Sequence, residues 1–506
     1  MRGTRVAKID TTMPDLERHL GGRTLILVSN REPYEHVRGS HGVEVRRPPG
    51  GLVSALDPTM RRTRGVWVAW GSGDEDRAAT DGASRLRVPP EDPSYTLRRV
   101  WLDESDIDGY YLGFANSVLW PLCHMLVHHV EFRTEHWNRY RSVNRRFAAA
   151  AADEARRAEG QPLVWIQDYH FALAAGYLRE LDPALFVQLF WHIPFPPPDI
   201  LRLLPAVAQE AVLRGLLGND LIGFHTDRYA QNFLACVAEM VPDGEVDHRE
   251  ARVRIDGRTV AVGAFPISID VDGFEELARR PKTAERVAVL RARYAGPHCG
   301  LGIGVDRVDY TKGIPQRLRA LELLWEAHPE LRECLTFLLV ATPSRIELRA
   351  YQELELEIVA LVRRINERFS TPRWTPIVLI NENVDAEMLA AVYRAADLCL
   401  ISSVQDGMNL VAKEFIACQV DERGVLVLSR FAGAAEEIEG ALLINPFNVD
   451  GFVAGIRDAI QMSDVERRER MHGMRERLHR STIFDWLDQI LERASSLMAE
   501  RSGATR

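Results

Sequence analysis

The chain has 506 residues, 46% of them hydrophobic and 27% charged, with a net charge of −9 at pH 7. A chain of this length is too long to fold around one compact core, and it is about right for two or three globular domains. The acidic balance argues against a nucleic-acid-binding protein, which carries a basic excess. The sequence has no apolar run of about 18 residues, the length that would predict a membrane span. The charged N-terminus also lacks the apolar core of a signal peptide. We therefore expect neither a nucleic-acid nor a membrane partner.

The cysteine pattern and the two termini give further expectations. Six widely spaced cysteines include no C-x-x-C pair, which is typical of reduced thiols in a cytoplasmic protein. Residues 1–22 are expected to form a flexible leader, and residues 496–506 a flexible tail.

In the first half of the chain, short apolar runs alternate with amphipathic stretches, which predicts an α/β fold. Helices are expected at 171–181 and 207–217. Near-continuous apolar runs are typical of parallel strands buried on both faces. The predicted strands are 25–29, 66–70, 163–166, 186–191 and 221–224.

A second α/β series follows a predicted hinge at 265–270. Its expected strands are 301–305, 335–340, 377–380, 398–401, 425–428 and 441–444, and its expected helices are 315–327, 347–369, 386–395 and 410–418. We therefore predict domains at 23–268 and 269–473, with a helix at about 474–495 returning to the first. Ligands of such sheets bind beyond the carboxyl ends of the strands, so the cleft between the domains is the expected site.

Two segments of the first half could approach an anion. Ser29-Asn30-Arg31 follows the first predicted strand, and Arg46-Arg47 precedes the pair Gly50-Gly51. Paired glycines let backbone N–H groups come close to a phosphate, and a helix beginning there adds its dipole. A surface turn is the alternative interpretation of the glycine pair.

The loop after strand 301–305 carries two cations, Arg307 and Lys312. Fixed cations facing a departing diphosphate would lower the barrier to glycosyl transfer by stabilising the charge that develops on it. The alternative is an exposed loop in which Asp306 and Asp309 neutralise the pair.

A second glycine-containing loop, Asp406 to Glu414, follows strand 398–401 and enters a helix. Glu414 would lie about one turn into that helix, where its carboxylate could accept hydrogen bonds from ribose hydroxyls. Asp406 could bind hydroxyls of a transferred sugar, and the helix N-terminus could receive phosphate. Acidic helix starts also occur without any ligand.

Polar and aromatic residues at other strand ends suit a sugar. Asp168 and His192 end neighbouring buried strands, which favours a polar site over a core. The stretch Tyr110 to Pro121 is rich in aromatic residues that could stack on sugar rings, although a core helix is the commoner outcome.

The sequence does not favour metal or dinucleotide chemistry. His124 and His128 are four residues apart on an expected helix, but no H-E-x-x-H motif accompanies them. Gly300, Gly302 and Gly304 lie within a strand pattern, so the dinucleotide fingerprint is lacking. An oxidoreductase is therefore disfavoured.

Taken in order, these segments resemble the trehalose-6-phosphate synthase family of retaining glycosyltransferases. The likeness runs from about residue 25 to about residue 486. It is most specific at 111–121, 167–170, 192–196, 306–313, 406–414 and 428–435. The resemblance implies a GT-B fold, in which two Rossmann-like doubly wound domains face a central cleft. The C-terminal domain would hold the donor and the N-terminal domain the acceptor.

The resemblance also implies roles for individual residues. Arg307 and Lys312 would clamp the donor diphosphate, and His192, Asp168 and Asp406 would lie beside the reacting sugar. The residues implied in donor binding are Gly50, Gly51, Arg307, Lys312, Val384, Asp406, Gly407, Met408, Asn409, Leu410, Val411, Ala412, Lys413 and Glu414. Those implied in acceptor binding are Arg31, Trp70, Tyr111, Trp120, Asp168 and Arg345.

The implied reaction moves glucose from UDP- or GDP-glucose onto glucose 6-phosphate with retention, without metal or cofactor. A separate phosphatase would complete trehalose synthesis, and the oligomeric state stays open, a homo-oligomer included. The basic stretch 30–50 and Val404-Gln405 depart from the family pattern, which leaves nucleotide and acceptor identity open. A glucosylglycerol-phosphate synthase using glycerol 3-phosphate and a non-catalytic sugar-phosphate sensor are the alternatives.

Overall fold

The computed structural model describes residues 16–40, 42–48, 51–295 and 300–503, and two β-sheets flanked by helices organise this part of the chain. The strands before residue 265 are β1 (Leu25–Val28), β2 (Glu35–Gly39), β3 (Gly42–Arg46), β4 (Val66–Trp70), β5 (Arg85–Val88), β6 (Tyr95–Val100), β7 (Leu163–Gln167), β8 (Phe186–Phe190), β9 (Leu221–Phe224), β10 (Glu245–Asp247), β11 (Arg252–Ile255) and β12 (Arg258–Ala264). The later strands are β13 (Gly300–Arg307), β14 (Leu335–Thr342), β15 (Ile377–Ile380), β16 (Leu398–Ile401), β17 (Val425–Ser429) and β18 (Leu442–Ile444).

The first sheet has the order β10-β11-β12-β9-β8-β7-β1-β4-β6-β5. Its strands from β12 to β6 in that order are parallel, and β5, β10 and β11 add antiparallel edges. The second sheet is parallel throughout, in the order β15-β14-β13-β16-β17-β18. Strands β2 and β3 form a separate hairpin. We call the part built on the first sheet the N-terminal lobe and the part built on the second the C-terminal lobe.

Helices cover both sheets. They are α1 (Leu16–Leu20), α2 (Gly51–Thr63), α3 (Glu104–Asp106), α4 (Trp120–Cys123), α5 (Thr134–Arg157), α6 (Ala174–Leu181), α7 (Pro198–Leu201), α8 (Ala206–Leu216), α9 (Asp227–Met240), α10 (Val271–Arg279), α11 (Pro281–Tyr294), α12 (Ile314–Ala327), α13 (Arg349–Phe369), α14 (Ala386–Ala395), α15 (Leu410–Cys418), α16 (Val449–Gln461), α17 (Asp464–His479) and α18 (Ile483–Gly503). Among the described residues, no helix is long and apolar enough to cross a membrane.

Every strand that is buried along its whole length is one that the sequence predicts, whereas the partly buried parallel strands β6 and β12 were missed. Strands β1, β7, β8 and β9 are buried along their whole length, because helices cover both faces of the sheet. The missed strands are those with mixed or charged composition. Strand β3 is exposed throughout, and β5 carries Arg85 and Arg87, so neither produces an apolar run.

The two ends of the chain differ from expectation where they are described. Within the expected leader, Leu16 and Leu20 are buried in α1, which packs on α18. The expected single C-terminal helix is two helices, α17 and α18, and α18 continues into the expected tail. Trp486 of α18 packs against Trp165 in a tilted arrangement, with ring centroids 5.5 Å apart. The last long helix therefore belongs to the core of the N-terminal lobe.

Candidate active site

The carboxyl ends of three adjacent strands bring polar side chains together in the N-terminal lobe. Asp168 follows β7, His192 follows β8 and His225 follows β9. The His192 ring nitrogen Nε2 lies 2.9 Å from Gln167 Oε1, and its ring is 4.6 Å from that of Phe190. Burial, followed by the nearby His225 and His170, lowers the pKa of His192 well below its ordinary value. His192 is therefore a neutral imidazole at pH 7.

Asp168 is held by the backbone around it. Its Oδ1 accepts hydrogen bonds from the Tyr169 amide at 2.9 Å and the His192 amide at 3.2 Å. Its φ of 73° is unusual for a residue other than glycine, and such conformations cluster at functional sites. Burial raises the pKa of Asp168 to about 7, against the effect of the two amides and of Arg345. The carboxyl group therefore titrates near neutral pH.

The aromatic stretch forms a π-helix, Ile107–Leu119, that continues into α4. Tyr110 is buried and donates to Asn30 Oδ1 at 2.8 Å, so its role is structural. Tyr111 lies one residue on and is only half-buried. Its ring is 6.0 Å from that of Trp70 and stacks on His170 at 5.9 Å. Widened helical turns of this kind occur frequently at functional sites.

Three arginines from separate segments approach Tyr111. Burial alone would raise the pKa of the Tyr111 phenol, but the charges of Arg345, Arg31 and Arg307 lower it below its ordinary value. Arg31 follows β1, Arg307 ends β13 and Arg345 lies after β14. Both Arg31 and Arg307 are exposed. The structure thus brings together guanidinium groups of both lobes at one place.

Arg345 is the buried member of this group. Its guanidinium carbon lies 4.2 Å from the centre of the Trp120 ring, and Nη1 donates to Asp309 Oδ2 at 2.9 Å. Nη2 is 3.4 Å from the Tyr169 hydroxyl, whereas the buried Nε has no hydrogen-bond partner among the described residues. A buried donor without a partner is costly, and an anionic ligand would satisfy it.

Lys312 and Asp406 meet on the C-terminal side of the junction. The Lys312 ammonium lies 2.6 Å from Asp406 Oδ2. The same oxygen accepts from Ser403 at 3.1 Å and from Asn409 at 3.0 Å. Burial would raise the pKa of Asp406, but the charge and hydrogen bond of Lys312, together with the hydrogen bond from Asn409, hold the pKa below its ordinary value. The carboxylate is therefore ionised and fixed in orientation.

The two lobes touch beside these residues. Tyr229 of α9 donates to the backbone oxygen of Asp406 at 3.0 Å. A β-carbon on Gly407 would lie 2.4 Å from the backbone oxygen of His192, so only glycine permits this approach. Trp120 Nε1 is 3.4 Å from Asp309 Oδ1, a third contact between the lobes. We call the space bounded by these contacts and the strand ends of both sheets the crevice.

Helix α15 begins at the crevice. The side chain of Asn409 caps it by accepting from the Ala412 amide at 3.2 Å, and its φ is 77°. Met408 and Ala412 are buried, whereas Leu410, Val411 and Glu414 are partly exposed. The Tyr393 hydroxyl donates to Glu414 Oε2 at 2.7 Å.

The other predicted donor residues have varied positions. The Lys413 ammonium binds the backbone oxygen of Ile267 at 2.8 Å and lies 2.7 Å from Glu437 Oε2, so it contacts the segment joining the lobes. Val384 is half-buried between β15 and α14. Gly51 begins α2, and Gly50 lies outside the described residues.

Sequence reasoning missed several residues of the crevice. Asp309, interpreted only as a neutralising charge, is fully buried and bonded to Arg345. The Tyr351 hydroxyl donates to Asp309 Oδ2 at 3.1 Å. Tyr169 and His170 directly follow the predicted Asp168. Their position in the same motif was the sequence signal that could have identified them as crevice residues. Tyr351 lies in the first turn of a long amphipathic helix, where no sequence signal separates it from the core.

The histidines considered for metal do not share one helix, which corrects that expectation. His124 follows α4, and its Nδ1 lies 2.7 Å from the Trp120 backbone oxygen. His128 and His129 belong to a separate 3₁₀ turn, in which His129 stacks on Tyr310. In the part of the chain that the structure describes, no group of three or more His, Cys, Asp or Glu is arranged to hold a metal ion.

The crevice therefore has the groups needed for two anionic ligands and a sugar. Arg31, Arg307 and Arg345 concentrate positive charge, and the fixed dipoles and charges of such a site act strongly where water is excluded. Asp168 and Asp406 offer fixed oxygens to hydroxyl groups. Trp70 and Tyr111 supply aromatic faces, whereas Trp120 is buried and its ring is covered by the Arg345 guanidinium.

Comparison with known proteins identifies the family. The model of glycosyltransferase family 20 matches residues 23–496. A trehalose-6-phosphate synthase of Mycolicibacterium vanbaalenii is 39% identical over 487 residues, which are 95% of this chain and 97% of that protein. A bifunctional trehalose-6-phosphate synthase/phosphatase of Thermoproteus tenax is 38% identical over 471 residues, and the match covers 91% of this chain but only 62% of that protein.

Solved structures share the whole fold. A trehalose-6-phosphate enzyme of E. coli with bound UDP-2-fluoro glucose has a TM-score of 0.82 at 30% identity, over 93% of this chain and 99% of that one. A UDP-forming α,α-trehalose-phosphate synthase of Burkholderia xenovorans with glucose 6-phosphate has a TM-score of 0.82 at 32% identity, over the same shares. These matches confirm the predicted GT-B fold. The chain belongs to glycosyltransferase family 20.

Proposed function

We propose that this chain transfers glucose from a nucleotide-glucose to glucose 6-phosphate, with retention, and so forms trehalose 6-phosphate. The observation that supports this most strongly is the approach of Arg31, Arg307 and Arg345, from separate segments, to one tyrosine. A donor diphosphate and a phosphorylated acceptor both need such cations. The relatives named above, which carry this activity in their names, support the same assignment.

In the proposed reaction, Arg307 and Lys312 face the leaving diphosphate. Negative charge on the diphosphate grows as the glycosidic bond breaks, and preorganised cations stabilise that charge. Lys312 is paired with Asp406 in the structure, so the ammonium already lies beside the carboxylate that we assign to the glucose hydroxyls. Donor phosphate and donor sugar would thus be bound by one connected group of side chains.

Arg345 and Arg31 are assigned to the phosphate of the acceptor. The Arg345 Nε without a partner supplies a buried donor, and the Trp120 face supports the guanidinium. Tyr111, Trp70 and Asp168 are assigned to the acceptor sugar. With the two substrates held side by side, the acceptor hydroxyl reaches the anomeric carbon on the face that the diphosphate leaves, and the diphosphate takes its proton. The protein contributes orientation and charge stabilisation.

We assign UDP-glucose as the donor, because several of the relatives are named UDP-forming. GDP-glucose is the competing donor. The segment that we expect to decide between them includes Gln405, whose side-chain amide donates to the Tyr229 hydroxyl at 3.2 Å.

The test is the release of nucleoside diphosphate, measured with each donor and acceptor in turn. We expect turnover with UDP-glucose and glucose 6-phosphate, and a product that is α,α-linked by NMR. Turnover with glycerol 3-phosphate alone would favour a glucosylglycerol-phosphate synthase. Ligand binding without transfer from any sugar nucleotide would indicate a sensor. Activity that survives EDTA is expected, since no metal has a role in this proposal.

A further inference from the structure

Asp309 lies at the centre of the acceptor side of the crevice, although the proposed reaction gives it no substrate to bind. It lies between Arg307 and Lys312 in the sequence, and it is fully buried. Its Oδ1 accepts from the Thr311 amide at 3.0 Å and the Thr311 hydroxyl at 2.9 Å. Its Oδ2 accepts from Arg345 Nη1 at 2.9 Å and from the Tyr351 hydroxyl at 3.1 Å.

These bonds engage one edge of the Arg345 guanidinium, whereas the buried Nε–Nη2 edge has few hydrogen bonds within the described residues. Nη1 is used by Asp309 and Tyr351, while among the described residues Nε has no partner and Nη2 has only a long contact with Tyr169. The guanidinium is also stacked on Trp120. An arginine side chain loses rotamer freedom when it binds a ligand, and a partner that holds it beforehand reduces that loss.

The backbone of Arg345 is also in an unusual conformation. Its φ of 47° lies in the left-handed region, which costs a residue with a side chain about 1 kcal/mol or more. The charge-assisted bond to Asp309 is a contact strong enough to offset such a cost.

We propose that Asp309 is a positioning residue: it holds Arg345 in the orientation that presents the Nε–Nη2 edge of the guanidinium to the acceptor phosphate. Because Asp309 also contacts Trp120 of the N-terminal lobe at 3.4 Å, the phosphate site is completed where the two lobes meet. Asp309 itself touches no substrate. This inference rests on the proposed function.

The test is the kinetic comparison of wild type with Asp309→Asn. Asparagine keeps the size and loses the charge, so we expect the KM for glucose 6-phosphate to rise by about tenfold to a hundredfold, as for a lost bond to a charged group. The KM for UDP-glucose should change by less than about threefold. An unchanged acceptor KM would overturn the inference, whereas a wild type without transfer activity would instead contradict the proposed function.

A second arm asks whether Asp309 acts through Arg345. In an Arg345→Ala background, Asp309→Asn should add less than about a twofold change in acceptor KM, because the side chain to be positioned is gone. An equal fold-change in both backgrounds would contradict the inference.

The matched control is Asp220→Asn. Asp220 is another buried carboxylate paired with an arginine, Arg179, and it precedes β9 at the amino-terminal end of the strand, opposite the crevice. We expect a lower melting temperature with an unchanged acceptor KM. If Asp309→Asn does not fold, Tyr351→Phe removes one bond to each partner, and we expect a threefold to tenfold rise in acceptor KM; no rise would overturn the inference.

Discussion

Asp168 is the residue whose chemistry depends most on its surroundings. Burial raises the pKa of its carboxyl group to about 7, so at pH 6 most molecules carry the neutral acid and at pH 8 most carry the carboxylate. Oδ1 already accepts from two backbone amides, so Oδ2 is the oxygen that we assign to a sugar hydroxyl, and in the carboxylate it is an acceptor only. Because this pKa is raised and not lowered, the active form is lost as the pH falls through 7.

We therefore predict that kcat/KM for glucose 6-phosphate rises with pH through about 7, since this ratio reports groups of the free enzyme. Asp168→Asn should lower the ratio and remove the limb of the profile that belongs to Asp168. The substrate phosphate titrates in both proteins and supplies the internal control. If the rise in kcat/KM near pH 7 persists unchanged in Asp168→Asn, a group other than Asp168 is responsible for that rise.

At the level of elements, the loop before α15 can approach the N-terminal lobe because it carries glycine. A β-carbon at Gly407 would lie 2.4 Å from the His192 backbone oxygen, and a backbone atom cannot turn aside as a side chain can. Gly407→Ala should therefore separate Asp406 from His192 and lower kcat/KM by about tenfold or more. Steady-state kinetics measure this.

The control for that substitution is Gly473→Ala in α17. A β-carbon there has no neighbour within 4 Å, and alanine is favoured over glycine in helices. We expect unchanged kinetics and equal or higher thermal stability. Equal kinetic effects of the two substitutions would contradict a steric role for Gly407.

Element prediction from the sequence succeeded where burial made the pattern simple. Helices α14 and α15 have the predicted bounds, and the predicted parallel strands all exist, because their runs of apolar residues have one interpretation. The hairpin β2–β3 and the strands β10 and β11 are short and rich in charged residues, so the alternation that β3 and β11 show is too brief to separate from a loop. The π-helix packs against α5, and no sequence signal separates it from an α-helix.

Site prediction relied on charged residues that end buried strands, such as Arg307 and Asp168, and the structure places these two beside the crevice. It could not separate side chains that face the crevice from those that face inward within one motif. Lys413 illustrates this, because its ammonium reaches Ile267 between the lobes. Roles in binding stay predictions for every one of these residues until the kinetics are measured.

At the scale of the whole molecule, helix α18 packs the last described part of the chain against the N-terminal lobe. Trp486 is buried, and its ring lies 5.0 Å from that of Phe190 and 6.3 Å from that of His192. Trp486→Ala should cost about 3 to 5 kcal/mol of stability through the cavity it leaves. It should also lower kcat, because His192 loses its support.

Trp374→Ala is the matched control for that prediction. Trp374 is equally a buried tryptophan, but it packs on Trp325 in the C-terminal lobe. Chemical denaturation and kcat, measured for both variants, should show comparable destabilisation with a kcat effect confined to Trp486→Ala. Equal kcat values in the two variants would refute a link between α18 and the crevice.

The most direct test of the whole account compares Arg307→Ala with Arg345→Ala in one steady-state assay with both substrates varied. We predict that Arg307→Ala lowers kcat by about 30-fold to 1,000-fold, equivalent to about 2 to 4 kcal/mol of barrier, because it removes a preorganised charge from the leaving group. Arg345→Ala should mainly raise the KM for glucose 6-phosphate, by about tenfold to a hundredfold. Near-normal kcat in Arg307→Ala, or a changed donor KM with an intact acceptor KM in Arg345→Ala, would contradict the account.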